Sequence, residues 1–147
     1  SCVYGENQWG TEDQGWIAWF IKCALTNKKI RLFGNGKQVR DVLHVNDLAR
    51  LIYISLNKIK KIGGHPFNIG GGKNNTLSLL ELIEKLEKKL NKKIKYSFLK
   101  QRFGDQKYFV NDLRKITKMT GWRPKISVDE GILGYLDWII KNQIKFK

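Results

Sequence analysis

Arg31-Leu32-Phe33-Gly34-Asn35-Gly36-Lys37-Gln38-Val39-Arg40-Asp41-Val42-Leu43-His44-Val45-Asn46-Asp47 is the stretch whose reading decides the fold. Ile30 to Phe33 is β-prone, and Gly34-Asn35-Gly36 supplies residues that accept positive φ in a turn. Val42 to Val45 reads as a second strand. Asn46 or Asp47 then caps a helix whose apolar positions Leu48, Leu51, Ile52, Leu56 and Ile59 recur at helical spacing. Arg40 stands between the turn and the second strand, which holds its guanidinium at a fixed height.

Upstream, Ser1 to Tyr4 is a short strand and Gly5 to Gln14 a polar loop. Trp16, Ile17, Phe20, Ile21, Ala24 and Leu25 share a helical period that Asn27 ends. Downstream, Gly63-Gly64 breaks the second helix. Pro66 to Ile69 is expected to be a short buried strand before Gly70-Gly71-Gly72. Ser78 with Glu81 forms a capping box that opens a helix through Leu90. Ile94 to Leu99 and Tyr108 to Val110 read as strands, and Asn111 or Asp112 starts a short helix that Gly121 stops. Ser127 with Glu130 is a second capping box, opening a final amphipathic helix through Ile140. Strands and helices alternate, so the expected class is α/β with a mixed α+β portion.

A chain of 147 residues is one domain by length, and 41% hydrophobic content with five Trp and seven Phe supports a packed core. No apolar run approaches the ~18 residues of a membrane span, and the first residues carry no secretion signal. Two cysteines, Cys2 and Cys23, cannot build a disulfide scaffold and sit in no metal-type cluster. A reducing cytoplasm is expected. The net charge of +15 suggests nucleic acid at first sight. Its distribution argues otherwise. Lys85, Lys88, Lys89, Lys92, Lys93 and Lys95 crowd one helix end, where positive charge suits the helix dipole. Lys58, Lys60 and Lys61 follow another helix, and Lys141, Lys145 and Lys147 form the tail. Lys outnumbers Arg, whereas base reading favours Arg, so a solvated basic surface is expected.

Several apparent motifs fail on geometry. Phe67-Asn68-Ile69-Gly70-Gly71-Gly72 follows a β-prone run, but the third glycine of a dinucleotide fingerprint would fall at Asn75. No Ser or Thr follows the lysine of Gly36-Lys37 or Gly72-Lys73, so neither is a phosphate loop. Tyr96 and Lys100 are four apart in a strand-like run, which separates them by ~13 Å and forbids proton transfer. His44 lies in an apolar strand and His65 in a turn, and no catalytic residue or metal site is assigned. Arg40 and Arg102 both sit on loops beside strands and could grip a diphosphate through forked, charge-assisted bonds. From the residues alone, a structural Arg40–Asp41 or Arg40–Asp47 ion pair is the favoured reading of Arg40.

Cys2 to Gln8, Gln14-Gly15-Trp16, Leu32 to Asp47, Phe67 to Gly71, Arg102 to Tyr108 and Gly121-Trp122-Arg123-Pro124 occur in a familiar order. Together they resemble the C-terminal half of the extended short-chain dehydrogenase/reductases, the NAD-dependent epimerase/dehydratase family. The likeness runs to about Ile140. Within it, Ser1 to Gly5, Glu12 to Trp16 and Gly104-Asp105-Gln106 look most like the branch that inverts C2 of CDP-linked sugars.

The resemblance implies a Rossmann-like fold, with residues 1–147 forming the sugar-nucleotide lobe and the last elements of the NAD-binding fold. The dinucleotide strands, the glycine loop and the catalytic Tyr-Lys pair would precede Ser1. It places Tyr4 beside the nicotinamide of NAD, Cys2 and Gln14 against the sugar nucleotide, and Leu32 and Phe33 along the base, partly through backbone groups. Arg40 and Arg102 would hold the diphosphate, with Asn68 bracing the Arg40 loop and Tyr108 closing the pocket. The implied partner is a nucleotide-diphosphate sugar, CDP-linked, in a homo-oligomeric enzyme. Relatives often carry Pro-Arg at Glu6-Asn7 and an Asn at Gly15, two positions where this chain departs.

Overall fold

A computed structural model describes residues 2–142; Ser1 and the tail lysines Lys145 and Lys147 lie outside them. In chain order the elements are β1 (Cys2–Tyr4), α1 (Trp16–Thr26), β2 (Ile30–Phe33), β3 (Val39–His44), α2 (Val45–Asn57) and α3 (Ile59–Ile62). Then follow β4 (Thr76–Ser78), α4 (Leu79–Leu90), β5 (Tyr96–Leu99), β6 (Tyr108–Phe109), α5 (Arg114–Thr120) and α6 (Val128–Lys141).

β3 is the hub. Its C-terminal half runs parallel to β1, pairing Val42 to His44 with Cys2 to Tyr4. Its N-terminal half pairs antiparallel with β4 and parallel with β6, setting Arg40 beside Leu77 and Phe109. β2 and β5 form a separate parallel pair. The turn between β2 and β3 uses Gly34 at φ 85° and Gly36 at φ 73°, conformations that favour glycine.

The larger core packs α1, α4 and α6 around Tyr4, Ile30, Leu32 and Val42. A smaller one gathers Leu43, Leu51, Ile116 and Trp122. The second is held to α2 by Asp47. Its Oδ2 accepts the backbone N–H of both Lys125 and Ile126 at 2.9 Å, its Oδ1 accepts from Arg50, and its carbonyl accepts from Trp122 Nε1 at 3.0 Å.

Four expectations need correction. β3 begins at Val39 rather than Val42, because the ladder bonds of β4 and β6 hold a segment whose Arg40 and Asp41 lower its β-propensity. The cap of α2 is neither Asn46 nor Asp47 but His44, whose Nδ1 accepts from Asn46 N at 3.3 Å. Pro66 to Ile69 is neither strand nor buried, since no strand among the described residues lies alongside to supply a ladder. β4 was not anticipated, Leu77 being its one large apolar residue. The capping box at Ser78 and Glu81 forms reciprocally, and Ser127 Oγ accepts from Glu130 N. Among the described residues no helix is long and apolar enough to cross a membrane.

The glycine trio has a packing role. A Cβ at Gly71 would lie 2.1 Å from the Val42 carbonyl oxygen, so only glycine lets this segment lie against β3. Gly72 N donates to Asp41 Oδ2, at the back of the strand that presents Arg40.

Candidate functional site

Residues of β2 alternate in direction, which buries Leu32 and turns Arg31 and Phe33 to the opposite face. That face is one wall of an open cleft of about 640 Å³. β3 contributes Arg40, its parallel neighbour β6 contributes Phe109, and the 100–107 loop contributes Arg102 and Asp105. Cys2, Trp16 and Phe20 form the floor from β1 and α1, and Glu12 and Asp13 close the rim. The volume suits a ligand of nucleotide-sugar size.

Every arginine in the cleft faces a carboxylate. Arg40 Nη2 meets Asp105 Oδ1 at 2.9 Å, and both side chains are about three-quarters buried. Arg102 reaches Asp13 at 3.3 Å while its guanidinium stacks 3.7 Å above the Phe33 ring centroid. Arg31 makes a forked pair with Glu12, holding that carboxyl below its ordinary range. The partner of Arg40 is therefore Asp105, 65 residues away, rather than the nearby Asp41 or Asp47. Asp41 instead accepts from Asn111 Nδ2 and Gly72 N, and Asp47 pairs with Arg50.

The cleft brings together four of the residues singled out in the sequence: Cys2, Phe33, Arg40 and Arg102. The others lie elsewhere. Gln14 is exposed and closes a turn with Thr11, and Leu32 is a core side chain. Asn68 is exposed beside Asp112 and Lys115. Tyr108 is exposed, and it is the next residue, Phe109, that lines the cleft. The Tyr4 ring is sunk in the core against His44 and α6, where a Cβ on Gly131 would meet its hydroxyl at 2.2 Å. Burial raises its pKa well above the ordinary value.

Asp13, Glu12, Arg31 and Asp105 were not anticipated. The alternation of β2, which puts Arg31 on the side of Phe33, was the available signal for one of them. The ion pairs themselves join distant segments and leave no local pattern. A larger groove of about 870 Å³ lies between the Gly71–Asn75 turn and α5, and it contains none of the converging arginines.

Cys2 and Cys23 are free thiols. Burial raises each from an ordinary 9.0 to about 11. A raised thiol pKa stabilises the fold fully below the unfolded value, and that contribution is lost as pH climbs toward 11. Neither thiol is a nucleophile at neutral pH. Iodoacetamide at pH 8 should leave Cys23 unmodified in the native protein and label it in urea, while the half-buried Cys2 on the cleft floor should react slowly. Stoichiometric native labelling of Cys23 at pH 8 would contradict its burial.

Residues 1–70 match the NAD dependent epimerase/dehydratase family. Over 143 residues the chain is 44% identical to CDP-paratose 2-epimerase of Salmonella typhi, covering 94% of this chain and 42% of that one. The chain belongs to the NAD-dependent epimerase/dehydratase family. Among its other relatives is UDP-glucuronate 4-epimerase of Thermodesulfobacterium geofontis, 37% identical over 84% of this chain and 37% of that one. UDP-glucuronic acid 4-epimerase from Bacillus cereus, solved with UDP-glucuronic acid and NAD, superposes with a TM-score of 0.82 at 31% identity. That superposition covers 95% of this chain and 43% of the epimerase. The α/β architecture is thus that of the family, and the chain spans about two-fifths of the length of the curated relatives it matches.

Proposed function

We propose that this chain forms the sugar-nucleotide-binding lobe of an NAD-dependent nucleotide-sugar epimerase, and that the complete protein is a CDP-paratose 2-epimerase. The observation that carries the proposal is the convergence of Arg40, from β3, and Arg102, from the 100–107 loop, on one aromatic-walled cleft. Two guanidiniums at the mouth of a cleft suit a diphosphate, which accepts forked bonds from both. Phe33, Trp16, Phe20 and Phe109 supply apolar walls that exclude water from the rest of the ligand. The 44% identity to a CDP-sugar enzyme supports cytosine as the base.

The residues present also fit the nicotinamide end of NAD. Gln8 Nε2 donates to Val3 O at 2.9 Å beside β1, and its buried Oε1 has no partner among the described residues. That oxygen is an acceptor suited to a carboxamide N–H. When bound, NAD would take a hydride from the sugar carbon and return it to the opposite face. Gln8 would orient this end of the cofactor, while the arginines hold the substrate. No proton transfer is assigned to this chain's own residues.

A second reading, a UDP- or dTDP-sugar 4-epimerase or dehydratase, is favoured by the 37% identity to UDP-glucuronate 4-epimerase. Thermal-shift titration of the complete protein with CDP, UDP and dTDP separates the two. CDP at ~100 times its Kd should add about 2.7 kcal/mol of stability, with UDP and dTDP giving less. Greater stabilisation by UDP or dTDP favours the second reading. No response to any of the three rejects the cleft as a nucleotide site.

A further inference from the structure

On a chain of net charge +15, the cleft proposed to take an anion is itself close to neutral. Its three arginines face three carboxylates: Arg31 with Glu12, Arg40 with Asp105, and Arg102 with Asp13. We propose that Asp13 and Asp105 are specificity-determining residues that occupy Arg102 and Arg40 in the empty cleft and are exchanged for the phosphates of the ligand. The inference rests on the sugar-nucleotide reading and adds to it the way in which the cleft selects its ligand.

The two carboxylates are placed for exchange rather than for permanent bracing. Asp105 sits on the short 100–107 loop, next to Gly104 at φ 76°, and the bonds that close the turn, Asp105 N to Arg102 O and Gln101 Nε2 to Asp105 O, are long at 3.3 Å each. The Asp13 side chain is 82% exposed, and its bond to Arg102 is long. Glu12 differs. It makes a forked pair with Arg31 and is not part of the proposed exchange.

Without Asp13 and Asp105, the guanidiniums of Arg40 and Arg102 would carry unopposed positive charge into one cleft. With them, the empty cleft is electrostatically satisfied, and an entering group must out-compete a carboxylate at each arginine. A diphosphate spans both arginines and can displace both carboxylates. A monophosphate can displace one, and a neutral sugar none. The carboxylates therefore set a charge threshold for entry.

Asp105→Asn and Asp13→Asn preserve shape and remove the competing charge. Calorimetric titration of the complete protein with CDP should show each variant binding about two- to fivefold more tightly than wild type, the equivalent of a partly screened ion pair. The double variant should bind more tightly than either. Binding to the variants should also weaken more steeply with added chloride, because the uncovered arginines hold solvent anions that the ligand must release. Equal or weaker binding by both variants, with wild type binding normally, overturns the exchange and assigns the carboxylates a structural or ligand-contacting role. Failure of wild type and variants alike to bind CDP, UDP, dTDP or inorganic pyrophosphate rejects the sugar-nucleotide reading itself, and the exchange with it.

Discussion

Trp122→Ala is expected to cost about 3–5 kcal/mol of stability, the range for deleting a large aromatic side chain from a core. Trp122 is fully buried and fills the smaller core between β3, α2 and α5. Three hydrogen bonds tie it to its surroundings: its N–H donates to Thr120 Oγ1, its carbonyl accepts from Thr117 Oγ1, and its indole donates to the Asp47 carbonyl. Alanine keeps the backbone bonds but opens a cavity and leaves the Asp47 carbonyl without its indole donor. Since small domains carry only about 5–15 kcal/mol in total, the variant should unfold far earlier in urea. Trp122→Phe separates the two contributions, retaining most of the packing while losing the indole bond, at about 1–2 kcal/mol. A loss below 1.5 kcal/mol for the alanine variant, by equilibrium urea unfolding, would mean that the smaller core collapses around the gap. The role of Trp122 as its central plug would then be wrong.

Arg40→Ala in the complete enzyme should raise KM for the sugar nucleotide by about 10- to 100-fold while leaving NAD affinity nearly unchanged. A charge-assisted hydrogen bond is worth about 1.5–3 kcal/mol, which by itself spans that range. Asp105, which the substitution leaves facing the ligand diphosphate with no cation between them, adds to the loss. Arg40→Lys should recover part of the loss, because a lysine restores charge without the planar fork. Arg102→Ala should act in the same direction, with an added loss from the stack on Phe33. Steady-state kinetics with NAD binding measured separately decides the matter. Equal losses for NAD and substrate would remove Arg40 from the diphosphate site, and a change in KM below threefold would show that the cleft does not depend on it.

Local chemistry made most of the fold legible in the sequence. The Ser78–Glu81 capping box, the Asn27 and Gly121 stops and the Gly34-Asn35-Gly36 turn each act within a few residues, so their signals are intact in one dimension. β4 and the first half of β3 were hidden because each is held by the other across more than thirty residues of chain. Pro66 to Ile69 failed for the converse reason, a β-prone composition without a neighbouring ladder. The cap at His44 was missed because histidine rarely takes the place of Ser, Asp or Asn, although its Nδ1 can accept a backbone N–H. The site follows the same logic. Arg102 is legible as a loop arginine and Arg40 as the arginine after the glycine turn, although the ladder puts Arg40 inside β3; Phe33 is placed by the family resemblance alone. Their carboxylate partners are not, since Asp105 and Asp13 reach them across 65 and 89 residues.

Those separations also place the cleft late in the life of a newly made chain. During synthesis, Arg40 appears 65 positions before Asp105, an interval of about 3–13 seconds at ordinary elongation rates. Arg102 must in turn find Asp13, made 89 positions earlier. A ligand of this cleft therefore has nothing to gather around until residues 13–105 have all been made. It can only capture molecules whose distant segments have already met, acting as a trap for the finished product of folding rather than as its template.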